Sequence, residues 1–304
     1  MTELWQVGIV HRSMAAVIAD GFHGAAVTWL PEPGPFRFNA DPFGLWHDGR
    51  FTAVVEAYDY RNKRGEIHYY TYDADWRLAA TGVALCPSFH LSYPQLIRHK
   101  GEIYMLPEAH RSGRLTLYRA DAFPAKWTPV ADLMDIPAID ATPFMHDGRW
   151  WLAYSLPGPD NRAMRELHMA FADDLTGPWT AHPGNPVRTG LESSRPGGQA
   201  LMIDGVTHLP MQDCTRGYGV GLNLLRLEDL TPERFTASVV QSFTAKGLHP
   251  RYGDGLHTVS GDGDVTLVDV KRLDDAKGRW RVDWRRRIGR LLRWDVKWPD
   301  IPLG

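Results

Sequence analysis

The segment Asp41-Pro-Phe-Gly-Leu-Trp-His-Asp-Gly49 joins an apolar stretch to a glycine turn, and it returns in altered form along the chain. Tyr93-Pro-Gln-Leu-Ile-Arg-His-Lys-Gly101 and Ala141-Thr-Pro-Phe-Met-His-Asp-Gly148 repeat the same arrangement. Five copies stand 49 to 54 residues apart, each with a proline near its start: Pro42, Pro94, Pro143, Pro196 and Pro250. Periods of about 40 to 50 residues with short strands are typical of propeller blades. The sequence therefore predicts an all-β fold, a five-bladed β-propeller.

A second strand follows each glycine turn, as in Phe51–Glu56, Glu102–Glu108 and Arg149–Ser155. A third strand is then expected to close on an aromatic residue in each of the first four copies: Trp76, Trp127, Trp179 and Phe235. Aromatic side chains that fill the wedges between blades also explain the high tryptophan content, 12 residues of 304.

The fifth copy offers only two strands, at residues 256–260 and 264–270. Two strand-like segments without a blade precede the first copy, at residues 5–10 and 25–30. A closed ring removes unpaired sheet edges, so residues 1–30 are expected to complete the last blade, with an open sandwich as the alternative. We thus predict a propeller over residues 1–272 and a basic, Trp- and Arg-rich helical appendage over residues 273–304.

Bulk properties exclude several classes of protein. The formal net charge of −2 gives no general field for nucleic acid, so no nucleic-acid partner is expected. Cys86 and Cys214 lie in different copies and form no disulfide framework. The first residues lack the basic and apolar regions of a signal peptide, which favours a cytoplasmic protein. None of the 13 histidines has the spacing of a zinc site, so no metal ligands are assigned.

The repeat also aligns side chains around the predicted channel. Asp41, Tyr93, Asp140 and Gly197 each stand eight residues before a turn glycine. Fifteen residues after each, the second strand has returned to the same end of the ring. That end should therefore gather the following polar residues: Asp41, Glu56, Glu108, Asp140, Gln212 and Asp213. Carboxylates held this closely shift one another's pKa values, which is how acid and base roles are separated at one pH.

Each candidate also has a structural alternative. An Asp before Pro can be a turn residue only, although the same slot in two copies disfavours this for Asp41 and Asp140. Arg195 is either a salt-bridge partner or a clamp for an anion. The remaining candidates for substrate binding flank Glu108 or approach the channel from a blade start: His90, Tyr93, Gln212, Asp213 and His257.

Two motifs resemble the five-bladed furanosidase superfamily, which includes glycoside hydrolase family 43. These motifs are Ala40-Asp-Pro-Phe and Ile139-Asp-Ala-Thr-Pro-Phe-Met-His-Asp-Gly. The resemblance implies that Asp41 is a general base and that Asp140 tunes a pKa. Gly253-Asp-Gly-Leu-His-Thr-Val-Ser is similar to a fifth-blade motif of that superfamily. This likeness implies that His257 lies in the channel beside a water or a calcium ion.

A closer resemblance covers nearly residues 38–270. His90-Leu-Ser-Tyr-Pro, Tyr104-Met-Leu-Pro-Glu, Arg195-Pro-Gly-Gly and Gln212-Asp-Cys-Thr-Arg-Gly-Tyr-Gly resemble the N-terminal domain of plant glucosamine inositolphosphorylceramide transferase and its bacterial relatives. The chain departs from family 43 in the fourth copy. Where those hydrolases carry a general-acid Glu before Gly-Pro, this chain has Glu192-Ser-Ser-Arg-Pro-Gly-Gly-Gln. If the protein hydrolyses a glycoside, the proton must come from Glu108, Asp213 or a histidine, and Glu108 is the leading candidate.

Residues 278–298 place tryptophans at helical spacing among arginines. A basic amphipathic helix of this kind either binds an anionic membrane or a partner, or packs its Trp stripe on the ring.

These observations favour an enzyme that acts on a glycoside or a sugar-derived small molecule, with Asp41 as base, Asp140 as modulator and Glu108 as proton donor. One alternative is a non-catalytic carbohydrate-binding or scaffold propeller in a polysaccharide or glycolipid pathway. The other is a pocket recruited to non-glycosidic chemistry, since a fold alone does not determine function.

Overall fold

The computed structural model describes residues 2–274. The amphipathic segment 278–298, with its predicted membrane or partner contact, lies outside the described residues. The last described strand continues to Asp274, so the division of the chain at residue 272 stays a prediction.

The first half of the chain forms the following elements. It begins with β1 (Thr2–Val10), α1 (Met14–Asp20) and β2 (Val27–Trp29). Blade one follows, with β3 (Arg37–His47), β4 (Arg50–Asp59), β5 (Arg64–Tyr72) and β6 (Leu78–Leu85). Blade two holds β7 (Ser92–His99), β8 (Glu102–Glu108), a 3₁₀ turn (His110–Ser112), β9 (Leu115–Ala122) and β10 (Lys126–Met134).

The second half continues the same pattern. Blade three holds β11 (Ile139–His146), β12 (Arg149–Ser155), α2 (Arg162–Arg165), β13 (Glu166–Ala172), β14 (Thr180–Ala181) and β15 (Arg188–Thr189). Blade four holds β16 (Arg195–Pro196), β17 (Leu201–Ile203), β18 (Val206–Asp213), β19 (Gly221–Leu230) and β20 (Phe235–Phe243). The final strands are β21 (Val259–Asp262) and β22 (Val265–Asp274).

The hydrogen-bonded strands form five antiparallel sheets, and the predicted five-bladed propeller is confirmed. The hydrophobic core is divided among the interfaces between blades. Phe43 and Met105 belong to one buried cluster between blades one and two, and Leu117 and Trp150 to another between blades two and three. Because each cluster draws on two neighbouring sheets, no blade buries its apolar face alone.

The glycine turns that mark the repeat connect the first and second strands of the blades. Asp48 and Gly49 have φ values of 48° and 72°, and Asp147 and Gly148 have 48° and 76°. Two successive residues with positive φ are the signature of a tight hairpin turn, in which glycine avoids a steric clash.

The ring closes as the sequence predicts, through the N-terminal strands. β1 pairs with β22 along its whole length, from Thr2 opposite Asp274 to Val10 opposite Thr266. β2 then pairs with β1, so the fifth sheet has the strand order β2-β1-β22-β21. The two outer strands of blade five thus come from the start of the chain.

The aromatic positions predicted to close the third strands stand instead at the turn into the fourth strand or at that strand's start. Trp76 lies between β5 and β6, where its ring contacts Trp46 and Phe51 at centroid distances of 5.5 and 5.7 Å. The four positions still fill wedges near the blade interfaces, which is why they recur with the repeat. Within residues 2–274, no helix is long and apolar enough to cross a membrane.

The closure gives a testable prediction about residues 1–30. Their deletion removes β1 and β2 and leaves the edge of β22 unpaired, so the variant should aggregate or lose several degrees of melting temperature. Thermal denaturation and size-exclusion chromatography measure both effects. A deletion of residues 275–304 is a control of equal length that removes no described strand. If the first variant stays monomeric with an unchanged melting temperature, the closure is not required for stability.

Candidate active site in the channel mouth

Three equivalent positions at the inner ends of blades one to three share an unusual backbone. Asp41, Tyr93 and Asp140 have φ values of 49°, 45° and 49°, a region that residues other than glycine rarely occupy. The strand register shifts at each of them, between the first and second strands of the blade. Strain repeated in three blades is typical of a functional site, where neighbouring contacts hold it in place.

The backbone N–H of each of these residues donates to a carboxylate across a blade interface. Asp41 donates to Asp269 Oδ2 at 3.0 Å, and Tyr93 donates to Asp41 Oδ2 at 3.3 Å. Asp140 donates to Glu108 Oε2, also at 3.3 Å. The register shifts at these residues are β-bulges. Their backbone N–H groups therefore link the carboxylates of successive blades into one network at the predicted end of the ring.

His257 lies between two of these carboxylates where blade five meets blade one. Its Nδ1 is 2.7 Å from Asp269 Oδ2 and its Nε2 is 3.4 Å from Asp41 Oδ1. Thr258 donates its hydroxyl to Asp41 Oδ1 at 2.9 Å. The His257 ring stacks on Trp5 of β1 with 3.9 Å between ring centroids. The histidine is thus fixed on both edges and on one face.

A second group joins blades two, three and four. Arg195 Nε and Gln212 Nε2 both donate to Asp140 Oδ2, at 2.7 and 2.8 Å. Glu108 Oε1 lies 2.6 Å from His110 Nδ1. The Arg195 guanidinium also stands over the ring of Tyr218, 5.0 Å from its centroid. Asp140 is therefore held by two donors from blade four, whereas Glu108 contacts His110 of its own blade and accepts the Asp140 N–H of blade three.

Glu56 is the least constrained carboxyl group of the mouth. Its nearest basic partner is His90, with Nε2 3.6 Å from Glu56 Oε1. His90 itself is held because the Gly65 N–H donates to its Nδ1 at 2.8 Å. A Cβ at Gly65 would come within 2.5 Å of Glu56 Oε1, so the absence of a side chain at residue 65 makes room for this carboxyl group.

Burial and neighbouring charges move the carboxyl pKa values in opposite directions. Burial raises the pKa of Asp41, although the charge of His257 opposes the shift. Burial raises the pKa of Glu56 well above its ordinary value, and the charges of Asp41 and Glu108 add to the effect. Burial also disfavours ionisation of Glu108, but the His110 hydrogen bond and the charge of Arg195 outweigh it and lower its pKa to about 2.

The remaining titratable groups follow the same rules. Burial raises the pKa of Asp140, and the charge of Arg195 offsets part of that shift. For His257, burial favours the neutral ring, but the charges of Asp269 and Asp41 outweigh it and raise the pKa. Burial lowers the pKa of His90 to about 4, so this ring is neutral at pH 7. The mouth therefore contains protonated and ionised carboxyl groups side by side.

The channel calcium ion that the resemblance implies does not fit the residues present. Asp41, His257 and Asp269 are close enough to share an ion. However, Asp269 accepts hydrogen bonds at both oxygens, from the N–H groups of Asp41, His257 and Thr258. Calcium prefers six to eight free oxygen ligands, and here both ring nitrogens of His257 face carboxylate oxygens instead. The cluster is satisfied internally.

The structure brings together most of the residues selected from the sequence: Asp41, His90, Glu108, Asp140, Arg195, Gln212 and His257. Two others are placed differently. The Tyr93 ring is fully buried, and its hydroxyl lies 2.8 Å from Thr142 Oγ1 and accepts the Gly198 N–H at 2.7 Å, so it fastens blades two, three and four. The Asp213 carboxylate accepts hydrogen bonds from the N–H and hydroxyl of Thr215.

Sequence reasoning missed Asp269, His110 and Tyr218. Asp269 interrupts the apolar run Val265–Val270, and a lone carboxylate in such a strand is a signal of a buried, paired charge. His110 follows Glu108 by two residues, a spacing that lets a turn bring the two side chains together. Tyr218 lies in the loop after β18 and carries no equivalent signal, since its role depends on Arg195.

Structural neighbours support the fold of this site. A family 117 glycoside hydrolase of the marine bacterium Zobellia galactanivorans superposes with a TM-score of 0.52 at 16% identity, covering 79% of this chain and 87% of that one. A family 43 β-xylosidase/α-arabinofuranosidase from a compost metagenome gives a TM-score of 0.51 at 15% identity, covering 76% and 84%. At these identities the likeness concerns the fold alone.

The sequence relatives identify a family, whereas the structural neighbours concern the fold alone. Glucosamine inositolphosphorylceramide transferase 1 of rice (Oryza sativa subsp. indica) is 34% identical over 209 residues, and the protein of that name from Arabidopsis thaliana is 31% identical over 207. Each alignment covers 66% of this chain, which spans only 28% and 27% of these curated relatives. The family model described as glucosamine inositolphosphorylceramide transferase 1, N-terminal, matches residues 16–259. The chain therefore belongs to the family of this N-terminal domain.

Proposed function

We propose that this protein is an enzyme that processes a glycoside or a sugar derivative in the channel mouth by general acid–base chemistry. The observation that carries the proposal is the divergence of pKa values among buried carboxyl groups at one end of the ring. The pKa of Glu108 is lowered, whereas those of Asp41 and Glu56 are raised. Pairs of carboxyl groups tuned apart in this way can supply an acid and a base at one pH.

Asp41 remains the candidate general base. Its carboxylate is oriented by Thr258 and by the N–H of Tyr93, and its raised pKa makes it a stronger base than an exposed aspartate. Asp140 would act as the modulator, because it holds Arg195 and Gln212 and lies beside Glu108.

The proton donor is better assigned to Glu56 than to Glu108. A general acid must keep its proton near the working pH, and a pKa of about 2 leaves Glu108 ionised. Glu56 has the opposite shift and contacts a histidine that is neutral at pH 7. In this arrangement Glu108 would hold His110 and the bulge at Asp140, while Glu56 would protonate the leaving group.

A non-catalytic carbohydrate-binding module is the second candidate, and blade four favours it. There the position equivalent to Glu56 and Glu108 is the neutral Gln212, and Arg195 points its guanidinium at Asp140. A site built from an ion pair, an amide and the Tyr218 ring can bind a sugar without transferring a proton. The two candidates differ in whether loss of a carboxylate abolishes turnover or only weakens binding.

Substitution of Asp41 distinguishes the two candidates. Asp41→Asn keeps the shape and part of the hydrogen bonding but removes the base, so turnover should fall about 100-fold or more while sugar affinity is retained. Glu56→Gln should have a similar effect on turnover. Initial rates are measured on a panel of aryl furanosides and pyranosides, and affinity is measured by calorimetry.

Asp48→Asn is the matched control, since Asp48 lies in an exposed hairpin turn at the other end of blade one. Its rates should equal those of the wild type. If the wild type turns over no member of the panel, yet binds sugars in a manner that depends on Arg195, the binding module is the correct function.

The shifted pKa of Glu56 predicts a pH-dependent effect on stability. Because its pKa is raised in the folded protein, folding disfavours the ionised form, and this costs stability as pH rises above the ordinary glutamate value. Glu56→Gln should therefore match the wild type near pH 4 and melt at a temperature at least about 2 °C higher at pH 8. Glu102→Gln, at the exposed start of β8, is the control. A constant difference across this range would contradict a protonated Glu56.

A further inference from the structure

Charged residues are distributed unequally between the two ends of the propeller. In blades one to four the loops between second and third strands lie at the mouth, because the second strands end at the site residues. These four loops, at residues 60–63, 109–114, 156–165 and 214–220, contain seven basic residues and one acidic residue. They are Arg61, Lys63, Arg111, Arg114, Arg162, Arg165 and Arg216, against Asp160.

The opposite end has the reverse character. The hairpin turns between first and second strands carry Asp48, Lys100, Asp147, Asp204 and Asp264. The turns between third and fourth strands add further acidic residues, among them Asp73, Asp75, Asp173 and Asp174. Since the chain as a whole is nearly neutral, the positive charge of these four loops results from placement and not from composition.

Three of the seven basic side chains are already paired: Arg61 with Asp59, Arg114 with Asp132 and Arg162 with Glu166. The other four are exposed, and in the part of the chain that the structure describes they form no ion pair. They occupy the equivalent loop of four successive blades. We call these four residues the basic rim: Lys63, Arg111, Arg165 and Arg216.

Two members of the basic rim, Arg111 and Arg216, adjoin residues of the site. Arg111 adjoins His110, which contacts Glu108, and the charge of Arg111 acts on His90. Arg216 precedes Tyr218, whose ring lies against Arg195, by two residues. A ligand in the channel is therefore expected to meet carboxyl groups at its inner end and the unpaired cations Arg111 and Arg216 at its outer end.

We propose that the basic rim recognises an anionic group, a phosphate or a carboxylate, on the sugar that enters the channel. This inference rests on the proposed function of the channel as a sugar site. The inner carboxylates repel an anion, whereas unpaired guanidinium groups bind phosphate or carboxylate oxygens in a bidentate manner. The two ends of the site thus orient such a sugar, with its neutral ring inward and its anion outward.

An anionic membrane is the main alternative ligand for a basic surface, but among residues 2–274 the mouth end exposes few of the large apolar side chains that membrane binding uses. The exposed large hydrophobic residues lie elsewhere, on outer strands or at the opposite end, as with Val83, Val130, Val240 and Met202. Leu273 is the exception at the mouth end. The four cations recur in the equivalent loop of four blades at the mouth end, which favours a ligand that binds at this end of the ring.

The test compares matched sugars on the whole protein. Calorimetry at low salt measures the affinities of methyl glycosides, glycosyl 1-phosphates and uronic acids of glucose, galactose and mannose, together with inorganic phosphate. The rim variant carries Arg111→Gln and Arg216→Gln. The control variant carries Arg77→Gln and Lys100→Gln, which remove two exposed charges from the opposite end. Vesicles containing phosphatidylserine test the membrane alternative.

For at least one sugar, the anionic form should bind about tenfold more tightly than the methyl glycoside, and this preference should fall as salt rises. The rim variant should lose roughly two- to fivefold of affinity for each charge removed, while the control variant keeps the wild-type preference. The stronger of the phosphate and uronic acid arms identifies the anion.

The remaining outcomes separate this inference from the proposed function. Equal binding of anionic and neutral sugars overturns the role of the basic rim and leaves the sugar site intact. Rim-dependent binding of inorganic phosphate without binding of any sugar supports the rim and overturns the proposed function. Rim-dependent binding of vesicles alone, or no binding of any probe, overturns the inference.

Discussion

The pairing of β1 with β22 is the interaction on which both the ring and the site depend. It joins the first described residues of the chain to the last described strand over nine residue pairs. The same strand carries Val7 and Ile9 into the core between blades five and one, and Trp5 onto the ring of His257. Loss of this strand would therefore open a sheet edge and uncover a channel residue together.

The carboxylate network begins at the interface between blades five and one, which this pairing closes. Asp41 belongs to blade one, and Asp269 and His257 belong to blade five, so their contacts exist only when the two blades are adjacent. The backbone N–H at each β-bulge then donates to a carboxylate of the neighbouring blade. Buried carboxylates without such donors would be costly, and hydrogen bonds from N–H groups reduce that cost. The folding of the ring therefore also assembles the hydrogen bonds of the site.

The sequence predicted the fold well because the same pattern of strands and turns recurs in five copies. The spacing of the turn glycines placed Asp41, Tyr93 and Asp140 in equivalent slots, and the structure gives all three the same backbone conformation. The spacing did not predict Asp269, because this residue of blade five stands one position away from the slot that Glu56 and Glu108 occupy in their blades. It also could not show that the Tyr93 side chain turns into the core, since spacing fixes a residue's place in a strand but not the partners of its side chain.

Equivalent positions in a repeat need not keep equivalent chemistry, and this accounts for the polarity of the mouth. The second strands of blades one, two and five place Glu56, Glu108 and Asp269 in the network, whereas those of blades three and four have Ser155 and Gln212 at this level. The positive charge of Arg195 then enters from blade four and pairs with Asp140. One half of the channel is therefore acidic and the other half is neutralised. Burial and the charges of Asp41 and Glu108 raise the pKa of Glu56, whereas the His110 hydrogen bond and the charge of Arg195 outweigh burial and lower that of Glu108. The asymmetry of the blades therefore separates the two glutamates.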